Sequence, residues 1–396
     1  MPLDIPAIQK TLSIEKIDGW LLYDFHGSNP IATRLAGLGG SGKMTTRRWY
    51  YFLPASGTPK KLVHAIEAGT LDALPGDTIM YSGRQQLERG IGELLRGSKV
   101  IAMEYSPECS IPYLSRVDGG TIDLVRRMGM RVISSGDLVQ RFEAVWDDAA
   151  IVTHKKASEK LYRIKDKAFE YIGAKLTRGA EVTEYEVQQA MVGWFKDEQL
   201  ISDAAPIVAA QEHAGNPHYG PSASVPRVIQ RDEIVLLDLW GKLQTPGAVY
   251  ADITWTGFTG DAPPQEFVDA FRTIAAGRDA AVAYVQSAVA KGEDLRGWQV
   301  DRATRDVIAA AGYGEFFIHR TGHSLGEEVH GNGVHMDDYE THDDRRLIPG
   351  TGFTIEPGIY TKTFGVRTEI NMVVGRKEAT VTGPCQQDLV RIAAGA

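Results

Sequence analysis

The chain has few cysteines and no excess of positive charge. Its 396 residues include two cysteines, Cys109 and Cys385, which are too few for a disulfide framework and are typical of a reducing compartment. The formal net charge of −8 argues against a dedicated nucleic-acid-binding protein, because phosphate backbones require clustered cations. These absences predict a cytoplasmic protein without a nucleic-acid partner.

Long hydrophobic runs are also absent. No stretch reaches the roughly 18 apolar residues that a membrane-spanning helix needs, and Met1 to Leu12 lacks the basic start and apolar core of a signal peptide. With 43% hydrophobic residues the chain can still bury two cores, and its length suggests two or three domains. We therefore expect a soluble protein that is not exported and has no membrane partner.

The chain divides near residue 155. Before this point, β-prone runs alternate with helical stretches such as 85–95, which predicts an α/β domain. A charged segment, 154–175, repeats apolar residues at helical spacing and predicts an amphipathic helix that opens the second domain. The β-prone runs of the first domain are 20–25, 48–53, 61–66, 78–81, 100–104 and 132–134. The further helical patterns of the second domain are 184–198, 264–290 and 295–311.

Two aspartates lie on neighbouring predicted strands of the second domain. Asp238 interrupts an apolar run over 234–240, and an acid within a buried strand is costly unless a cation or hydrogen bonds receive it. After a turn, residues 250–258 alternate, with Asp252 on one face and Trp255 on the other. The pattern predicts a hairpin, and if the two acids face the same way they lie close enough to share a metal ion.

Two glutamates and a histidine extend the set. Glu356 ends a short β-prone run, and Glu369 lies in an alternating run over 366–374 whose opposite face is apolar. His323 lies between the two pairs in a glycine-flanked loop, whose small residues would let the backbone approach a metal site closely. Four converging carboxylates would repel one another and raise one another's pKa, so two divalent ions are expected to neutralise them.

This donor set indicates metal-assisted hydrolysis. Oxygen-rich ligation with one imidazole favours Mn²⁺, although the general affinity order favours Co²⁺ or Zn²⁺ wherever these are available. A pair of divalent ions activates a water for attack on a carbonyl or phosphoryl centre.

The order and context of the five residues resemble a known family. The pattern is similar to that of the pita-bread metallopeptidases. It consists of an Asp, an Asp-Ile-Thr run, a Gly-His pair, Glu-Pro-Gly, and a final Glu that an Arg precedes by two residues. This family includes prolidase (Xaa-Pro dipeptidase), Xaa-Pro aminopeptidase and methionine aminopeptidase. The resemblance implies an α/β (α+β) protein: a pita-bread catalytic domain over 156–396, preceded by a creatinase-like amino-terminal domain over 1–155. It also implies a homodimer.

The resemblance assigns roles to individual residues. The implied ligands of two metal ions are Asp238, Asp252, His323, Glu356 and Glu369. Glu356 would also act as general base. His218 would contact the substrate, and His330 would steady the scissile carbonyl or the tetrahedral intermediate. Arg367 and Tyr360 would lie beside the substrate.

These roles predict a dinuclear Xaa-Pro dipeptidase that cleaves the peptide bond before a carboxyl-terminal proline. A single short amino-terminal domain, with arginines available to receive a free carboxylate, favours a dipeptide substrate. Xaa-Pro aminopeptidase, acting on longer peptides with proline second, is the alternative on the same fold. A metal-free creatinase-like hydrolase and a non-catalytic binding module are further alternatives, but both are expected to have lost ligands that this chain keeps.

Two features depart from the family pattern near the aspartates. The gap from Asp238 to Asp252 is longer than usual, which a longer hairpin turn would absorb. Trp255 replaces an arginine of many relatives, and the loss of this cation could change how the substrate's carboxylate is held. The position of Trp255 on the face opposite Asp252 favours packing over chemistry.

A glycine-rich run in the first domain partly matches the motif of a phosphate-binding loop. The run 37–43 ends in Lys43, but Met44 replaces the hydroxyl residue that would hold Mg²⁺, and a strand follows where the motif requires a helix. A flexible loop is expected instead. Arg47 or Arg48 beside it could recognise a substrate carboxylate.

Overall fold

The computed structural model describes residues 3–38 and 45–392 and divides the chain into two compact units, Met1–Glu143 and Ala144–Ala396. The residue limits predicted for the two domains stay a prediction. Most of the phosphate-loop-like run, from Gly39 to Met44, lies outside the described residues. Among the residues that are described, no helix has a stretch long and apolar enough to cross a membrane.

In the described part of the first unit, six strands form one mixed sheet. The strands are β1 (Gly19–Asp24), β2 (Trp49–Pro54), β3 (Lys60–His64), β4 (Asp77–Tyr81), β5 (Val100–Met103) and β6 (Arg131–Ser134). The helices are α1 (Ile5–Ile14), α2 (Pro30–Leu35), α3 (Arg84–Leu94), α4 (Gly119–Arg127) and α5 (Gly136–Val139). The strand order is β4-β3-β2-β1-β5-β6, and β2 runs antiparallel to both neighbours. The six predicted strands and the helix predicted at 85–95 are confirmed to within one or two residues.

The two faces of this sheet bury different cores. Because side chains alternate along a strand, Trp20 and Leu22 of β1 pack with α1, α2 and α5, while Leu21 and Tyr23 pack with α3 and α4. The large aromatic and aliphatic residues that made the strands predictable are therefore the residues that the two helical layers cover.

The second unit contains four helices and eleven strands among its described residues. The helices are α6 (Asp148–Thr177), α7 (Glu184–Asp197), α8 (Gln265–Lys291) and α9 (Gly297–Ala310). The strands are β7 (Leu200–Ile201), β8 (Ile207–Ala210), β9 (Ile234–Leu243), β10 (Ala251–Phe258), β11 (Ser324–Leu325), β12 (Gly352–Ile355), β13 (Gly358–Tyr360), β14 (Gly365–Arg367), β15 (Ile370–Val374), β16 (Ala379–Val381) and β17 (Val390–Arg391). All four helices predicted here are present. The first begins earlier than predicted, where the Asp147 side chain caps the Ala150 amide at 2.8 Å.

Three strand groups carry the residues of interest. One sheet has the order β17-β10-β9-β7, with β8 also pairing with β9; a second has the order β11-β12-β15-β16; and β13 pairs with β14 alone. Helix α6 packs its apolar stripe, including Leu161 and Ile164, on the β9–β10 hairpin.

The prediction of one continuous strand over 366–374 is wrong. The run is divided at Thr368 and Glu369 into β14, which pairs with β13, and β15, which pairs with β12. At the break, the Glu369 amide donates a hydrogen bond to the carbonyl oxygen of Thr254 in β10, at 3.0 Å. The chain therefore leaves one strand pair, contacts the hairpin sheet, and joins another sheet.

Candidate metal centre

The β9–β10 hairpin places two aspartates on one face. In the antiparallel register, Asp238 lies opposite Thr254, and Asp252 lies opposite Trp240. Asp252 and Thr254 are two residues apart and share a face, so the two acids are diagonal neighbours rather than directly opposed. Both aspartates are buried.

The histidine loop lies close to strand β12. A Cβ added to Gly322 would lie 2.0 Å from the carbonyl oxygen of Thr354, so only glycine fits at this approach. The next amide, that of His323, donates to the Thr354 hydroxyl at 2.9 Å. The expectation that small residues let this loop approach the site is confirmed.

The two glutamates lie at breaks between strands. Glu356 follows β12, and its Oε1 accepts a hydrogen bond from the Thr354 hydroxyl at 3.1 Å. Glu369 lies between β14 and β15, and its Oε2 accepts from the Thr254 hydroxyl at 2.9 Å. Each glutamate is thus fixed by a threonine from an adjoining strand.

The side chains of Asp252, His323 and Glu369 converge. One donor atom of each lies within 4.8 Å of those of the other two. The Nε2 atom of His323 lies 3.5 Å from Asp252 Oδ2 and 3.4 Å from Glu356 Oε1. Asp238 also faces this region, where Arg367 donates a hydrogen bond to its Oδ2.

The electrostatics of the cluster require a cation. Burial raises the pKa of Asp252 to about 7 and that of Asp238 to about 6, although Arg367 lowers both. Burial and the neighbouring carboxylates raise the pKa of Glu369 well above its usual range, and burial also raises that of Glu356. Burial lowers the pKa of His323, which keeps its imidazole neutral and able to bind a metal.

Two carboxylate oxygens of the cluster lack hydrogen-bond partners in the part of the chain that the structure describes, and this tests whether the site fits a metal ion. Asp252 Oδ1 and Glu369 Oε1 are buried and have no hydrogen-bond partner among the described residues. A buried, unpaired carboxylate oxygen is costly, and a divalent cation held by oxygen ligands and one imidazole would satisfy both oxygens. The residues present therefore fit a metal ion.

Comparison with known proteins agrees with this chemistry. The model of metallopeptidase family M24 matches residues 156–376, which is more than half of the chain. The chain belongs to metallopeptidase family M24. The resemblance and the enzyme class predicted from the sequence are confirmed.

Named relatives of this M24 peptidase are similar at modest identity. It is 28% identical to the probable dipeptidase PepE of Mycobacterium bovis in an alignment of 270 residues. This alignment covers 68% of this chain and 66% of that protein. It is 30% identical to the Xaa-Pro dipeptidase of Lactobacillus delbrueckii subsp. lactis in an alignment of 234 residues. This alignment covers 59% of this chain and 58% of that protein. The alignments thus span less than two thirds of the length of these relatives.

A solved structure shows the fold of the whole M24 chain. The crystal structure of dipeptidase PepE from Mycobacterium ulcerans matches with a TM-score of 0.71, covering 99% of this chain and 100% of that one at 23% identity. The predicted fold class, with a pita-bread domain in an α/β protein, is confirmed.

In this M24 peptidase, Arg367 and Tyr360 are both buried and hydrogen-bonded to each other. The Arg367 guanidinium donates to Asp238, to the Thr254 hydroxyl at 3.0 Å and to the Tyr360 hydroxyl at 3.0 Å. Among the carboxylates of the cluster, Arg367 therefore forms its ion pair with Asp238.

A residue that the sequence did not single out, His319, completes this network. Its Nδ1 lies 2.7 Å from the carbonyl oxygen of Arg320, which accepts a hydrogen bond, so Nδ1 carries the proton. Its Nε2 therefore accepts from the Tyr360 hydroxyl at 2.7 Å, which leaves the phenol oxygen to accept from Arg367. Removal from water and the charge of Arg367 lower the pKa of His319 to about 3, so this arrangement persists at neutral pH.

We expect His319→Phe to lower kcat by roughly tenfold, because the hydrogen-bond partners that orient metal-site residues contribute about 10- to 100-fold. The substitution removes the acceptor for the Tyr360 hydroxyl and loosens Arg367. His319→Gln can both donate and accept, and should restore most of the loss. Steady-state kinetics and thermal unfolding of both variants, with the exposed His342→Phe as control, would test this. Equal losses in His319→Phe and His342→Phe would contradict it.

The two histidines predicted beside the substrate differ in their surroundings. The rings of His330 and His323 are T-shaped with centroids 4.5 Å apart, so His330 adjoins the cluster. His218 is exposed, and its backbone amide donates to the Asn216 side chain at 3.1 Å. Their predicted roles remain predictions.

Two other residues have structural explanations. Trp255 packs on Tyr162, with ring centroids 6.0 Å apart, and the Lys165 ammonium lies 3.7 Å from the Trp255 ring centroid. The packing role predicted for Trp255 is thus confirmed. The side chain of Asn371 bonds the backbone of Asp252: its oxygen accepts from the amide at 3.0 Å and its nitrogen donates to the carbonyl oxygen.

Proposed function

We propose that this M24 metallopeptidase is a dinuclear Xaa-Pro dipeptidase. The observation that carries the proposal is the buried cluster of carboxylates and one imidazole, with unpartnered oxygens on Asp252 and Glu369. The ligands in this proposal are Asp238, Asp252, His323, Glu356 and Glu369. Relatives that are named dipeptidase and Xaa-Pro dipeptidase support the substrate class.

The chain's own residues perform distinct tasks in this reaction. The five ligand residues would hold two divalent ions, which we propose to be Mn²⁺ and which would supply Lewis-acid activation of the attacking water and of the scissile carbonyl. Glu356 accepts the proton of the attacking water and delivers it to the leaving imino nitrogen of proline.

Neighbouring groups hold the reacting geometry. The hydroxyls of Thr254 and Thr354 fix Glu369 and Glu356, so neither carboxylate reorganises when charge develops. We propose that His330, whose ring adjoins that of His323, steadies the developing oxyanion, and that His218 contacts the substrate. We further propose that the enzyme works in the cytoplasm as a homodimer on Xaa-Pro dipeptides.

One observation favours Xaa-Pro aminopeptidase as a second candidate. Arg367 is bonded to Asp238, Thr254 and Tyr360, so this cation is already committed and is less available to bind the free carboxylate of a dipeptide. Trp255, where many relatives have arginine, lies against Tyr162 and offers no charge. A substrate extended beyond proline would not need that cation.

A substrate comparison separates the two activities. With Mn²⁺ present, we expect a higher kcat/KM for Ala-Pro than for Ala-Pro-Ala, and no cleavage of Ala-Ala. Faster cleavage of the tripeptide would identify the aminopeptidase. Metal analysis of the same preparation is expected to find bound divalent ions, and cleavage that persists unchanged after complete metal removal would overturn both candidates.

A further inference from the structure

The first unit contains a groove that the proposed peptidase activity does not use. It has a volume of about 680 Å³ and lies at one edge of the six-stranded sheet. Strands β3 and β4 run parallel and end there at His64 and Tyr81, both of which line the groove. Helix α3 begins at the same edge. In α/β sheets, the crevice beyond the carboxyl ends of parallel strands is the usual place for a ligand.

The cations of this groove are not all neutralised. The lining residues include four arginines and three acids, which are Arg47, Arg48, Arg84, Arg127, Glu88, Asp118 and Asp123. Glu88 pairs with Arg84 at 3.1 Å and with Arg127 at 3.4 Å. Asp118 caps α4 through the amide and hydroxyl of Thr121, and accepts from the Tyr23 hydroxyl.

Arg48 is the cation best placed to bind an anion. Its guanidinium lies 5.7 Å from the ring centroid of Phe25 and forms no ion pair with any residue that the structure describes. Its backbone is held in place, because the Tyr81 hydroxyl donates to the Arg48 carbonyl at 2.7 Å. Against the effect of burial, hydrogen bonds from Thr121 and the charge of Arg48 lower the pKa of the Asp118 carboxyl, so the Arg48 guanidinium faces the groove beside this acid. The fixed backbone reduces the entropy lost when an anion binds.

The amino end of helix α3 also lies at the groove, which Ser82, Gly83 and Arg84 line. Helix α3 is preceded by Gly83, which has no side chain to cap the first-turn amides. These amides and the helix dipole favour an anion at this end.

We propose that this groove binds a small anionic molecule, in which a phosphate or carboxylate group contacts Arg48 and the amino end of α3 and a flat apolar part packs on Phe25 and Tyr81. Phe25 is 40% exposed at the groove wall, and the Tyr81 ring packs edge-on against His64 with centroids 4.9 Å apart. Aromatic walls beside a guanidinium suit a ring that carries an anionic group.

Calorimetric titration of the full-length protein with phenyl phosphate and, separately, with phenylacetate tests the proposal. We expect saturable binding of at least one probe, weakened by added salt because the groove is open to solvent. Arg48→Gln should weaken it roughly tenfold or more, as expected for loss of a charge-assisted hydrogen bond. Arg89→Gln, an exposed arginine of the same helix α3 outside the groove, should bind as the wild type does.

A double variant, Asp252→Asn with Glu369→Gln, separates this groove from the peptidase centre. Binding that survives in this double variant and fails in Arg48→Gln supports the groove, whether or not the protein cleaves Xaa-Pro peptides. Preference between the two probes would identify phosphate or carboxylate as the natural group. Absence of saturable binding, equal loss in Arg89→Gln, or loss only in the double variant would overturn the proposal.

Discussion

Replacing Glu356 with glutamine is expected to lower kcat for Ala-Pro by about 10³-fold or more, because general acid–base groups contribute about 10²- to 10⁴-fold and this residue is also a proposed metal ligand. The amide has nearly the same shape and can still accept the hydrogen bond from the Thr354 hydroxyl, so the local structure should persist. It can neither take up the proton of the attacking water nor donate it to the imino nitrogen.

The measurement is steady-state kinetics together with the metal content of each preparation. Glu327→Gln is a matched control, because Glu327 is an exposed glutamate of the same unit. This control is expected to keep wild-type activity. If Glu356→Gln retains full metal and full activity, the assignment of Glu356 as proton carrier is wrong.

The helices and strands were largely predictable because local sequence and tertiary packing agree. In the first unit, alternating large apolar residues such as Leu21 and Leu22 serve two different cores, so the period-2 signal survives in the fold. In the second unit, Leu161 and Ile164 recur at helical spacing and pack as one stripe of α6. Where the apolar residues of a segment recur with one period and pack on one core for each face, the sequence alone is sufficient to predict the helix or strand.

The donor residues could be found, but their arrangement could not. Alternation in β9 and β10 shows that Asp238 and Asp252 can share a face, yet only the observed register makes them diagonal neighbours. The break at Glu369 depends on a hydrogen bond to Thr254, which is remote in sequence. Such long-range contacts leave no local signal in the run 366–374.

The hydrogen-bond network that holds Arg367 also could not be predicted from the sequence. His319 is a single histidine in an irregular segment, and nothing in its neighbours distinguishes it from a histidine that only satisfies hydrogen bonds. Its role follows from the geometry, in which the Arg320 carbonyl and the Tyr360 hydroxyl fix the position of its proton. Thr254 is similar, since alternation places it beside Asp252 but does not reveal that it holds Glu369.

Metal affinity is expected to increase steeply with pH between about 5 and 8. In the metal-free protein, burial raises the pKa of Asp252 from 3.8 to about 7 and that of Asp238 to about 6. A carboxyl with a raised pKa stabilises the folded metal-free protein through its protonated form, and this contribution is lost as the pH rises through the raised pKa. Metal binding requires the carboxylate form, so protons must leave and affinity rises over the same window.

We therefore expect the apparent dissociation constant for Mn²⁺ to fall by about tenfold per pH unit for each proton displaced. Calorimetric titration at pH 5.5, 6.5 and 7.5, in buffers with different ionisation enthalpies, measures both the affinity and the protons released. The neutral His323 contributes little to this slope at the upper end of the window, because burial already lowers its pKa.

Asp252→Asn supplies the matched control for this dependence. The variant is expected to bind Mn²⁺ far more weakly, since it loses the ligand charge and replaces one carboxylate oxygen with an amide nitrogen that cannot bind a cation. It should also release fewer protons, because the group with a pKa of about 7 is gone. An affinity that stays constant from pH 5.5 to 7.5 without proton release would show that the carboxylates are already ionised in the metal-free protein. The buried cluster would then need another source of positive charge, and Arg367, bonded to Asp238, would be the first group to examine.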